Sequence, residues 1–128
     1  LESRRVLFRS AAADAAAPRA SGTLESHYAP RARVRLMDAA SLQAALQVLG
    51  AAAPGQLPLV AVYSRSKVGL PAGTPWHRLP ERADAAAHEL FAVLRSLDDS
   101  GAPLIWVETP PDTPDWEGVR DRLRRAAA

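Results

Sequence analysis

The sequence predicts an α/β domain: helices layered on a mostly parallel sheet of about four strands, preceded by an extended linker. Three observations carry that prediction. Leu59–Tyr63 and Leu104–Val107 are apolar runs of strand length without polar alternation, as expected of strands covered on both faces. Other stretches place apolar residues at i, i+3, i+4 and i+7, the spacing of an amphipathic helix. From residue 31 onward the two kinds of segment alternate, which is the signature of strand–helix–strand units.

Each element follows from local chemistry. Arg33–Leu36 alternates polar and apolar residues and reads as a short strand. Asp38 is suited to cap a helix whose stripe is Leu42, Ala45, Leu46 and Leu49, with Gly50 near its end. Pro54-Gly55 marks a turn before the strand at Leu59–Tyr63. A loop rich in Gly and Pro runs from Ser64 to Pro75, and Trp76–Leu79 reads as a further short strand. A second helix is expected from Ala83 to Asp98, with Ala87, Leu90, Phe91, Leu94 and Leu97 on its apolar face and Ser100-Gly101 ending it. After the strand at Leu104–Val107 comes a Pro-rich loop from Glu108 to Thr113. Thr113-Pro114 then starts a last helix, with Thr as the cap, Pro at the first helical position, and Trp116, Val119 and Leu123 facing inward.

Composition narrows the chemistry. The 128 residues contain no cysteine, which removes disulfides, thiolate zinc sites and a thiol nucleophile, and fits a cytoplasmic protein. Net charge is only +2, and acidic residues are mixed among the arginines, so no basic stripe with interleaved aromatics offers a nucleic-acid groove. No apolar run approaches the ~18–20 residues of a membrane span.

The usual catalytic patterns are missing. Neither G-x-G-x-x-G nor the P-loop pattern occurs, and Gly69–Gly73 reads as a surface loop because Pro71 lacks a donor N–H. His27, His77 and His88 show no metal-ligand spacing, and no G-x-S-x-G elbow exists. Asp98 and Asp99 read as solvated carboxylates at a helix end. Glu108 follows a buried strand, where α/β sheets place ligand contacts, although a plain loop carboxylate is the simpler reading. Arg120, Arg122, Arg124 and Arg125 sit where cations complement a helix dipole.

The first thirty residues do not read as fold. Leu1–Ser10 resembles translated adapter sequence, and Ala11–Ala20 is Ala-rich with Pro18 against helical continuation. The expected organisation is therefore a non-native segment 1–10, a linker 11–32 and an α/β domain 33–128, with part of the natural protein upstream. Within the linker, Ser21, Gly22, His27, Tyr28 and Pro30 form an unusual cluster for a spacer, which is more often Gly/Ser or charged.

Those same residues carry a resemblance. Ser21-Gly22 followed by His27-Tyr28-Ala29-Pro30, Leu90–Asp98 in the second helix, and Asp121–Ala127 at the end are together similar to the long form of threonylcarbamoyl-AMP synthase. In that family a YrdC-like catalytic domain is joined by a linker to a smaller Rossmann-like domain, and the resemblance covers about residues 18–127. Two departures stand out. The family's Ser-Pro-Gly reads Ala20-Ser21-Gly22 here, and Leu24 and Ser26 replace a Lys and an Arg often found before the His.

The resemblance implies a role. The family makes L-threonylcarbamoyl-AMP from ATP, L-threonine and bicarbonate, for N6-threonylcarbamoylation of adenosine 37 in tRNA. The catalytic Lys-x-Arg and Ser-x-Asn motifs are absent from this chain, which contains no asparagine at all. The implied partner is thus an N-terminal catalytic domain that supplies the ATP site with its Mg, while this part binds no cofactor and meets tRNA only indirectly. Ser21, Gly22, His27, Tyr28 and Pro30 are carried over as lid contacts to the nucleotide. The alternative is a free-standing α/β binding or regulatory module without catalysis.

Overall fold

The computed structural model describes residues 29–128 apart from 52, 67 and 68. Strand β1 (Arg33–Met37), helix α1 (Ala39–Leu49), strands β2 (Val60–Ser64) and β3 (Trp76–Arg78), helix α2 (Ala83–Asp99) and strand β4 (Leu104–Glu108) follow in order. A 3-10 turn (Pro114–Trp116) and helix α3 (Glu117–Ala127) close the chain. The four strands form one sheet in the order β1-β4-β2-β3, and every neighbouring pair is parallel.

Alternation along the strands sends side chains to two separate cores. Val60 and Val62 of β2 and Trp106 of β4 pack against Leu42 and Leu46 of α1. Ala61, Tyr63, Ile105 and Val107 point the other way, into a larger core with Leu90, Leu94, Val119 and Leu123 of α2 and α3. The result is one helix on one face and two on the other, a small Rossmann-like layered domain. The β1-to-β2 crossover moves forward across the sheet and the β3-to-β4 crossover moves back. Crossovers of one hand running in opposite directions must lie on opposite faces, which is why α1 and α2 are separated by the sheet.

The expected elements appear with shifts of a residue or two. Asp38 caps α1 by accepting the Ser41 N–H at 2.7 Å, and Gly50 ends the helix at φ 75°. Strand β2 is buried along its whole length, as an unalternated apolar run requires. Two expectations are corrected. Thr113 does not cap a helix through its side chain; its hydroxyl donates to Asp115 at 2.6 Å, and the first turn is 3-10 rather than α. Glu108 belongs to β4 rather than to the loop after it, and it is buried.

The edge strand β1 carries exposed Arg33 and Arg35. Charged side chains on an edge oppose pairing with a further strand.

Candidate functional site

The chain entering β1 is held by α2. Its last turn brings the Asp98 carboxylate to the start of β1, where it accepts the backbone N–H groups of Arg31 at 3.0 Å and Ala32 at 2.9 Å. The Arg31 guanidinium reaches Asp98 at 3.4 Å and Asp99 at 3.1 Å. Asp98 is therefore not the solvated carboxylate expected from its place at a helix end: it is 7% exposed. Burial pushes its carboxyl upward, but the two amides and then the guanidinium outweigh burial and hold it below the ordinary aspartate range. Asp99, one residue on, is exposed, as expected.

Of the residues expected to act as a lid, Ser21, Gly22, His27 and Tyr28 lie outside the described residues. Pro30 is half-buried without regular secondary structure, one residue before the amide that Asp98 grips.

A second polar assembly sits at the opposite end of the sheet, where β2, β3 and β4 finish side by side. Glu108, 4% exposed, accepts the Arg65 backbone N–H at 3.0 Å through one oxygen and the Arg65 guanidinium at 2.8 Å through the other. Beside it the buried Ser64 hydroxyl donates to the Ser66 carbonyl at 2.7 Å and accepts the Trp76 indole N–H at 2.9 Å. Arg65, Ser66, Arg78, Glu81 and Glu108 line an open pocket of about 540 Å³. Glu108 was the one member visible in the sequence. Arg65, Arg78 and Glu81 were missed, although the rule that singled out Glu108, a polar residue at the carboxyl end of a buried strand, applies equally to Arg65 and Arg78.

The histidines divide. His77 approaches Glu89 at 3.3 Å and meets the Tyr63 ring edge-on at 5.7 Å, while Tyr63 donates its hydroxyl to the same Glu89 oxygen at 2.8 Å. Burial first, and Glu89 second, push the Tyr63 phenol far above the ordinary tyrosine range. His88 is exposed. Among the described residues no group of three or more His, Cys, Asp or Glu could hold a metal, and no helix is long and apolar enough to cross a membrane. Of the C-terminal arginines, Arg120 clamps the loop after β4 through the carbonyls of Pro111 and Thr113, and Arg125 pairs with Asp121 at 2.9 Å.

Fold and site together define a class, a Rossmann-like α/β domain whose sequence has no glycine-rich phosphate fingerprint and which ties its incoming chain to the end of a helix. One family model, described as threonylcarbamoyl-AMP synthase, C-terminal domain, matches residues 2–128, and the chain belongs to that family. No curated protein and no solved structure matched.

Proposed function

We propose that this chain is the accessory, lid-carrying part of an L-threonylcarbamoyladenylate synthase, acting in tRNA t6A37 modification in the cytoplasm. The reaction joins ATP, L-threonine and bicarbonate and releases pyrophosphate. Its chemistry belongs to a YrdC-like catalytic domain, where ATP and its Mg bind. Residues 21–30 of this chain lie across that domain's cleft, with Ser21, Gly22, His27, Tyr28 and Pro30 facing the nucleotide. A carbamate and a mixed anhydride both hydrolyse readily, so a cover that excludes water protects the intermediates. The same cover gates ATP arrival and pyrophosphate departure.

The observation that carries this reading is the grip of Asp98 on the amides of Arg31 and Ala32, directly after Pro30. Ordering a lid costs roughly 1–2 kcal/mol of backbone entropy per residue. A root held by a buried carboxylate confines one end, which raises the effective concentration of the lid at its cleft. Family membership supports the same assignment.

Pyrophosphate release tests the proposal. The chain by itself is expected to release none from ATP, L-threonine and bicarbonate. Joined to a YrdC-like catalytic domain, it supports turnover that falls when residues 21–30 are replaced by a Gly/Ser spacer of equal length. Unchanged turnover with the spacer would overturn the lid role and leave a binding module.

A further inference from the structure

The pocket at the carboxyl edge of the sheet takes no part in the lid, whose root lies at the opposite edge. From its charges we infer that it is a binding site for a small zwitterion of the free α-amino acid type. In open parallel sheets, ligands bind outside the carboxyl ends of the strands. The pocket lies there, lined from the end of β4 and from the chain after β2 and β3.

The charges decide what kind of ligand fits. Glu108 and Arg65 neutralise each other, and both Glu108 oxygens are engaged. Fixing Arg65 this way sets its guanidinium in place at the pocket, where the side chain is still 37% exposed. On the rim stand Arg78 and Glu81, both exposed and neither ion-paired among the described residues. Among the described residues, one unpaired cation and one unpaired carboxylate therefore share the pocket with the Arg65 guanidinium.

A simple anion would gain Arg78 and the exposed part of the Arg65 guanidinium but would face Glu81. A simple amine would gain Glu81 but face two guanidinium groups. A molecule with a carboxylate and an ammonium on one carbon suits both halves: its carboxylate takes the Arg65 and Arg78 donors, and its ammonium donates to Glu81. The volume, about 540 Å³, lies within the range that holds small molecules.

Calorimetric titration of the 128-residue chain with each standard L-amino acid tests this site. At least one should saturate, while its N-acetyl and α-amide derivatives should not, because each lacks one of the two charges. Arg78→Ala and Glu81→Gln change exposed side chains, so the fold should persist, as circular dichroism will report. Each should weaken binding about ten-fold or more, the loss of one charge-assisted hydrogen bond. Two results would overturn the inference: no saturation by any amino acid, or equal binding of acetate, inorganic phosphate and the N-acetyl derivative, which would mark a plain anion site. Neither depends on synthase activity, so the lid reading stands or falls separately.

Discussion

The Asp98 carboxylate accepts the backbone N–H of Ala32 at 2.9 Å across 66 residues of sequence, closing the end of α2 onto the start of β1. That bond and its neighbour to Arg31 make one side chain responsible for how the chain enters β1.

Asp98→Ala should therefore cost about 2–3 kcal/mol of stability, the scale for losing charge-assisted bonds to buried amides. Urea denaturation measures it. Asp99→Ala, which removes only a surface contact to Arg31, should cost under about 1 kcal/mol. Equal effects from the two substitutions would mean that Asp98 does not anchor the strand.

The same carboxylate predicts an acid limb. Its folded pKa lies below its unfolded value, so the folded state binds fewer protons in that window. The stability it contributes is present above the ordinary aspartate value of ~3.9 and is lost as pH falls through the lowered folded value. Stability measured against pH should fall less steeply below about pH 4 in Asp98→Asn than in the parent chain.

Glu108 and Arg65 can be weighed against each other by a double-mutant cycle. Arg65→Ala strands a buried carboxylate, whereas the guanidinium left by Glu108→Ala is partly in solvent, so Arg65→Ala should destabilise more. The coupling between them should be on the order of 1–2 kcal/mol by chemical denaturation. A coupling near zero would show that the pair is held by its surroundings and not by its own attraction.

Tyr63→Phe removes one hydroxyl bonded to Glu89 and should cost about 1 kcal/mol without altering the fold. Tyr63 should not ionise in the ordinary tyrosine range near pH ~10. The phenolate absorbance of the folded chain through that range should thus be the same with and without the substitution.

Tyr28→Phe, made in the chain joined to a YrdC-like catalytic domain, should lower turnover about ten-fold, the scale of one hydrogen bond to a charged group. Urea denaturation should find stability unaltered. Undiminished turnover would remove the hydroxyl from any part in gating.

Much of the architecture was legible in advance because it is written in local spacing. The i, i+3, i+4, i+7 stripe of Leu42, Ala45, Leu46 and Leu49 can bury itself only as a helix, and Leu42 and Leu46 are fully buried. The unalternated run at Val60–Tyr63 can exist only where both faces are covered. The missed site residues had no such local signature. Arg65 reads as an ordinary loop cation until β4 places Glu108, 43 residues later in the chain, against its amide.

Periodicity and turn residues thus determined, unaided, that this is an α/β domain, and three short motifs pointed to the family it is similar to. Those features act between residues within a few positions of one another, where chain geometry alone decides which side chains share a face. Only tertiary structure decided the strand order β1-β4-β2-β3, the grip of Asp98 on the chain before β1 and the pairing of Glu108 with Arg65. Each of these depends on β4 inserting between β1 and β2. That insertion follows from packing apolar surface on two sides of a sheet, a property of the folded whole rather than of any segment.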